Sequence, residues 1–432
     1  MLNVFFCYRK IELYDCTKEG IIILKRILSI IISILFLGSV LMTPDVHAQQ
    51  TPVEISKNYH QTLDKQYNPK GAYVITQQGQ ILYNYQGDQS IDPASTTKLM
   101  TAYLVLEAAS QGKIHYSDSI KITPKYEQLA QLPNLTTFPL KNKQTYTVDQ
   151  LLKQAMLESS NAATIVLAEK VDGDVSRFTD KMNAKAKDLG MIHTHFTNPS
   201  GANNRLIQQF VPKKYASETA SKSTAKDMTI LSRAIIKKYP KILHYSSLRT
   251  DSQYGKTLTN TNLSLPNSVD ACKGVQGLKT GTSENGYNLV LTAERNHLRI
   301  DTTVMNVQPY PSEVSKHARQ KIANALTEDA FKHYEYRKVI SKGEHEIDGK
   351  TYEVKQDLYD VVPKDKHQYK LKITDDKLQV DYPRQFLKGA HAPSVKAQHV
   401  IHWGRHLLGF AVMVSVVLLI SAIIYIVVKR RN

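Results

Sequence analysis

Pro93-Ala94-Ser95-Thr96-Thr97-Lys98-Leu99-Met100 places a serine at the start of a predicted apolar helix, 96–109, and a lysine three residues later. At that spacing the two side chains share a helix face. The N–H groups of a first helical turn have no partner within the helix, and the dipole favours negative charge there, which suits an oxyanion. Serine is a weak nucleophile without an adjacent base. A lysine serves as that base only when burial or nearby positive charge lowers its pKa. Lys279 is a candidate source of such charge.

Two more strings follow in order, Ser159-Ser160-Asn161 and Lys279-Thr280-Gly281. Ser159 and Asn161 fall between predicted helices 151–157 and 162–171, where a loop projects a hydroxyl and an amide into a cleft. The hydroxyl is placed to pass a proton to a leaving group, and the amide to bind a peptide backbone. Lys279, Thr280, Gly281 and Thr282 continue a predicted strand, 275–280. A strand edge pairs with an extended peptide, and Gly281 leaves room for close approach. Lys279 and Thr280 are candidates for holding a terminal carboxylate. The N–H groups of Ser95 and Thr282 form a candidate oxyanion hole.

Single matches carry little weight. Ser223-Thr224-Ala225-Lys226 repeats the Ser-x-x-Lys spacing but reads as a helix start, with Ser223 or Thr224 as N-cap. Ser283-Glu284-Asn285 repeats Ser-x-Asn but reads as part of a hairpin turn. The ordered set of three distinguishes Ser95, Lys98, Ser159, Asn161 and Lys279 from these decoys.

Working outward, segments 72–75 and 80–85 flank Gln78-Gly79 and predict a β-hairpin. Thr147-Val148-Asp149-Gln150 resembles a capping box. Helices are also predicted over 175–189, 224–238 and 314–333, and strands over 288–293 and 300–307, with Glu284-Asn285-Gly286 as a turn. Strands at both ends with helices between them predict an α/β domain over 49–333, a mixed antiparallel sheet beside a helical lobe. From 334 to 390 the alternation over 344–350, 352–355, 369–374 and 377–382 predicts a small all-β domain, more simply a spacer than a recognition module.

The chain has 432 residues and a formal charge of +17. Residues 1–48 account for +1 and 407–432 for +3, so +13 lies between the ends. Such a surplus favours polyanionic surroundings. No basic stripe with interleaved aromatics accompanies it, so nucleic acid is not the expected partner and an anionic cell envelope is. Lys25-Arg26, an apolar run over 27–42 and Val46-His47-Ala48 read as a signal peptide, 1–48. Residues 407–428 carry no charge over 22 positions, span a bilayer in length and end on Lys429-Arg430-Arg431. The basic tail, 429–432, is expected in the cytoplasm and everything before the span outside. Residues 391–406 read as a juxtamembrane linker, with His399, His402, Trp403 and His406 as an interfacial segment. Cys272 is the one cysteine between the two ends and reads as a packed small residue.

The three motifs, with Ser159-Ser160-Asn161-Ala162-Ala163, Thr194-His195-Phe196-Thr197-Asn198-Pro199-Ser200-Gly201 and Gly274-Val275-Gln276-Gly277-Leu278-Lys279-Thr280-Gly281, resemble the low-molecular-mass penicillin-binding proteins of the D-alanyl-D-alanine carboxypeptidase family. Within it, the likeness is to the penicillin-binding protein 4 type of Gram-positive cocci, and it runs over nearly the whole chain. The resemblance implies a serine β-lactamase-like fold. It implies that Ser95 attacks the bond between two D-alanines of a peptidoglycan stem, releasing D-alanine and leaving an acyl-enzyme. Water then gives carboxypeptidation and an amine gives transpeptidation. β-Lactams are implied to acylate the same serine, and no metal or organic cofactor is implied. Thr282 stands where relatives vary, so the choice between acceptors stays open. Two rivals share the motifs. A class A-like β-lactamase needs a deacylating glutamate, for which Glu169 is near in sequence but within a predicted helix. A membrane-bound β-lactam sensor needs a cytoplasmic effector, whereas four residues follow the span.

Overall fold

The computed structural model describes residues 49–401 and 403–431. The expected signal peptide lies outside them, as do His402 and the side chains of Trp403 and His406 in the expected interfacial segment. An antiparallel sheet is built from β1 (Gly71–Thr76), β2 (Gln80–Tyr85), β3 (Val275–Ser283), β4 (Gly286–Arg295) and β5 (Leu298–Val307). Its order is β2-β1-β5-β4-β3, with the short strand Gln385–Phe386 added outside β2. Early and late strands thus meet at its centre, where Ala72 lies opposite Val304.

Both faces of this sheet are covered. β5 and β4 are buried almost throughout, although they also carry polar residues such as Asn288, Asp301, Thr302 and Thr303. One face packs under α5 (Glu313–His333), with Ile322 and Leu326 against Leu289, Leu291 and Ile300. The other meets the helical lobe, which includes α1 (Lys98–Ser110), α2 (Val148–Met156), α3 (Asn161–Asp172) and α4 (Ala225–Lys238). Each such fully buried leucine or isoleucine contributes about 1.5–3 kcal/mol relative to exposure.

Local signals act as the sequence implies. Thr147 Oγ1 accepts from Gln150 N at 3.1 Å while Gln150 Oε1 accepts from Thr147 N at 2.9 Å, closing the capping box of α2. Thr224 caps α4 by accepting from Asp227 N at 3.1 Å, and Ser283 Oγ accepts from Asn285 N at 3.3 Å in the β3–β4 turn. Both decoy motifs are therefore structural.

The small β domain differs from expectation at its end. Its five-stranded sheet runs Gly343–Ile347, Lys350–Val354, Ser394–His399, Lys377–Asp381, Lys370–Thr374. Ser394–His399, expected as linker, is its central strand. Ala397 is fully buried there, and Val354 lies opposite it. Its sequence is short, with only Val395 and Ala397 apolar, which hides the strand from periodicity alone. A hydrogen bond from Tyr382 OH to Gln80 Oε1, at 3.0 Å, joins this domain to the main one. Beyond it, α6 (Trp403–Arg431) contains a stretch, Phe410–Arg430, long and apolar enough to cross a membrane.

Candidate active site

Ser95 lies in a 3-10 turn, Ala94–Thr97, that feeds α1, whose regular helix begins at Lys98, two residues after the predicted start at 96. Ala94 is held at φ +47°, a strained value for a non-glycine residue. Asp92 Oδ1 supports it by accepting from Ala94 N at 2.8 Å. The turn aims Ser95 into a cleft of about 480 Å³ that Asn161, Thr136, Arg205, Thr282 and Tyr310 also line.

Lys98, the first residue of α1, is 1% exposed. Its Nζ lies 2.9 Å from Ser95 Oγ, 2.7 Å from Asn161 Oδ1 and 2.8 Å from the Ser200 carbonyl. Asn161 cannot present its other amide atom, because its Nδ2 donates to the Thr136 carbonyl at 2.6 Å. Two of the three partners of Nζ are therefore acceptors only. A neutral amine has two N–H donors for them, and its lone pair is left facing the Ser95 hydroxyl. Burial, and then the charge of Lys279, hold the Lys98 pKa well below its ordinary value.

Asn161 opens α3, and Ser160 is the N-cap, its Oγ accepting from Ala163 N at 3.2 Å and from Phe138 N at 3.1 Å. Ser159 precedes it, buried and at φ +62°. The motif thus divides its labour: Ser160 holds the turn while Asn161 reaches Lys98. Ser159 lies in the same loop, without a hydrogen bond to Ser95 or Lys98.

On β3, Lys279 is buried, with Nζ donating to the Thr280 carbonyl at 3.2 Å. Burial, then the nearby Arg319, push its pKa down to about 7. Thr280 Oγ1 lies 2.6 Å from Thr261 Oγ1. Gly281 permits a close approach, but the approaching backbone belongs to this chain. A Cβ there would sit 2.8 Å from the Pro93 carbonyl and 3.1 Å from Thr96 Cγ2. The glycine lets β3 press against the Ser95 turn.

Ser95, Lys98 and Asn161 are thus in direct contact, with Thr282 across the same cleft and Lys279, Thr280 and Gly281 beside it on β3. Three contributors escape sequence reasoning. The Ser200 carbonyl is set by Asn198, whose Oδ1 accepts from Ser200 N, Ser200 Oγ and Gly201 N. The Thr136 carbonyl orients Asn161. Arg319, buried on α5, donates from Nη1 to the Gly281 and Asn288 carbonyls, both at 3.1 Å. Carbonyls have no residue-type signature, and Arg319 sits in an ordinary basic helix. Glu169 is occupied elsewhere, pairing with Lys125 at 2.7 Å and accepting from Tyr126. Among the described residues, no group of three or more histidine, cysteine or acidic side chains is placed to hold a metal.

Residues 60–309 match the peptidase S11 family, described as D-alanyl-D-alanine carboxypeptidase. Residues 336–398 match a domain of unknown function, DUF1958. The chain is 30% identical over 321 residues to the D-alanyl-D-alanine carboxypeptidase DacF of Bacillus subtilis, covering 72% of each. It is similar to the crystal structure of the peptidoglycan synthesis regulatory factor PBP3 of Streptococcus pneumoniae, with a TM-score of 0.66 and 26% identity, over 77% of this chain and 98% of that one. It is also similar to the cefotaxime-bound penicillin-binding protein D2 of Listeria monocytogenes, with a TM-score of 0.51 and 29% identity, over 61% and 97%.

Proposed function

The chain belongs to the D-alanyl-D-alanine carboxypeptidase family, and we propose that it removes the terminal D-alanine from peptidoglycan stem peptides through an acyl-enzyme on Ser95. The stem docks as an extended strand along β3, its carboxylate held by Lys279 and Thr280. Neutral Lys98 takes the Ser95 proton as Oγ adds to the penultimate carbonyl. The N–H groups of Ser95 and Thr282 receive the oxyanion. Ser159 passes a proton to the departing amine, and Asn161 binds the stem backbone as well as fixing Lys98. Water releases the shortened stem, and an amine from a second stem yields a cross-link. β-Lactams, one of which the Listeria relative holds, acylate the same serine.

The observation that carries this reading is the contact of buried Lys98 Nζ with Ser95 Oγ at 2.9 Å, held in place by Asn161 Oδ1 and the Ser200 carbonyl. Around it, the stretch Phe410–Arg430 anchors the protein in the cell membrane, Lys429-Arg430-Arg431 stays in the cytoplasm and the catalytic domain faces outward. The signal peptide, the spacer role of the small β domain and the likeness to the penicillin-binding protein 4 type belong to the same reading.

Intact-mass analysis of a synthetic stem pentapeptide incubated with the protein tests it, with and without an amine acceptor. Loss of one alanine, absent with Ser95→Ala, is expected. Rapid, repeated penicillin hydrolysis without alanine loss would replace the reading with a β-lactamase.

A further inference from the structure

Thr280 ends in a hydroxyl whose partner among the described residues is a second hydroxyl, Thr261 Oγ1, 2.6 Å away. Thr280 is 5% exposed and Thr261 is half-buried. Thr261 lies outside all three motifs, in the loop after the hairpin 250–259. Its backbone N–H donates at 3.3 Å to the carbonyl of Leu157, which precedes Glu158 and Ser159. Thr261 therefore touches both the strand that carries Lys279 and the loop that carries Ser159.

The loop is pinned on both sides of Thr261. Asn260 and Asn262 are buried. Asn260 Nδ2 donates to the Ser246 and Leu248 carbonyls at 3.1 and 2.8 Å, and its Oδ1 accepts from Asn262 N at 2.9 Å. Asn262 Oδ1 accepts from Ser264 N at 3.0 Å. Thr261 is thus held in place before any substrate arrives, which lowers the ordering cost of binding.

A hydroxyl has one proton and two lone pairs, so either threonine is able to donate to the other. The two arrangements differ in what they leave over. The other acceptor near Thr261 Oγ1 is the Leu157 carbonyl, at 3.5 Å. Well-formed O–H···O bonds span about 2.5–3.0 Å, and that carbonyl already accepts the Thr261 N–H. The Thr261 proton therefore lies on the 2.6 Å bond, where Thr280 Oγ1 accepts it. The proton of Thr280 is left for a substrate oxygen. In the reverse arrangement Thr280 would direct that proton at Thr261 and face a carboxylate with lone pairs alone.

We propose that Thr261 is a positioning residue for the substrate carboxylate, donating to Thr280 Oγ1 and so fixing the Thr280 hydroxyl as a donor. This rests on the reading above in which Thr280 binds that carboxylate. Lys279 supplies charge to the carboxylate and Thr280 supplies direction. A carboxylate only accepts, so it needs the proton arrangement that Thr261 enforces. A C-terminal amide both donates and accepts, so it suits Thr280 in either arrangement. Thr261 thereby helps the site to tell a free acid from a blocked end.

The test uses the full-length protein in detergent. KM and kcat for release of the terminal residue are measured with a stem pentapeptide and with its C-terminal amide. Thr261→Val and Thr261→Ala both remove the hydroxyl, the first keeping its shape, and Thr261→Ser retains it. The first two are expected to raise KM for the acid about tenfold, the scale of one hydrogen bond to a charged group, with kcat and both constants for the amide within about twofold of wild type. Thr261→Ser is expected to restore the wild-type KM. Thr280→Val is expected to raise the same KM, and adding Thr261→Val to it to change KM by less than about twofold, because Thr261 acts through Thr280. An unchanged KM in both hydroxyl-free variants overturns the positioning role and leaves the acyl-enzyme reading intact. Equal losses on acid and amide, or additive losses in the double variant, reduce Thr261 to a support for the Ser159 loop and also overturn it. An unchanged KM in Thr280→Val overturns the carboxylate reading and the proposal with it.

Discussion

Gly281→Ala probes how β3 and the Ser95 turn fit together. The added Cβ would lie 2.8 Å from the Pro93 carbonyl and 3.2 Å from Thr96 N, both backbone atoms that no rotamer change can clear. Ordinary carbon contacts begin near 3.5 Å, so β3 or the turn must move by about 0.5 Å or more. Overpacking of this kind costs about 1–3 kcal/mol, and a domain of this size loses about 2–4 °C in melting temperature per kcal/mol. A misplacement of about 1 Å costs on the order of 100-fold in rate, so half of that costs about tenfold. The measurements are the second-order rate of acylation by a fluorescent penicillin and the thermal melt. Both are expected to fall together. If the glycine served only to admit substrate, acylation would fall while the melt stayed put. Unchanged acylation would refute the packing argument outright.

Two further perturbations follow. Lys279 loses its charge as pH rises through its lowered pKa of about 7, so KM for a peptide ending in a carboxylate is expected to climb above that pH. Acylation should fall at the acid side, as Lys98 gains the proton that blocks its lone pair. A flat KM between pH 6 and about 9 would remove Lys279 from carboxylate binding. Arg384 and Asp360 form a pair at 2.9 Å with side chains 5% and 0% exposed. Arg384→Met strands the buried Asp360 and is expected to cost the small domain about 3–5 kcal/mol in urea unfolding; a loss under about 1 kcal/mol would show that Asp360 takes up a proton cheaply.

Much of this was legible in the sequence because it rests on side-chain identity at fixed spacing. Ser95 and Lys98 meet across one turn, Thr147 and Gln150 close a capping box, and Asn161 reaches Lys98 from another helix. What stayed hidden has no such signature. The Ser200 and Thr136 carbonyls act through backbone, and their positions depend on loops that tertiary contacts fix. Arg319 lies 38 residues from Gly281, the carbonyl it holds, and only the packing of α5 on the sheet brings them together. Ser394–His399 has one fully buried residue, Ala397, so its place at the centre of a sheet leaves almost no periodic trace. Gly281 was read for the right property, absence of a side chain, but the backbone that needs the space is the protein's own.

The buried cations raise a question of energy that the substrate answers. Lys98 is depressed by burial and by Lys279, Lys279 by burial and by Arg319, and Arg319 by burial, to about 10. Neither lysine has a carboxylate among its hydrogen-bond partners. Moving Lys279 from 10.5 to about 7 costs folding about 5 kcal/mol. The sign follows from the lowered pKa. The cost is fully present below about pH 7, and fades as pH rises towards 10.5, where the unfolded chain also loses the proton. A substrate carboxylate paired with Lys279 restores its charge at mildly alkaline pH, and that charge in turn keeps Lys98 neutral. On the proposed reading, the carboxylate therefore helps to set the base as well as to bind. A stem peptide with a C-terminal amide is expected to show a lower single-turnover acylation rate at saturation near pH 8, beyond its weaker binding. If saturating amide peptide acylates Ser95 as fast as the acid, Lys279 holds the substrate without governing Lys98, and the coupling between the two lysines is absent.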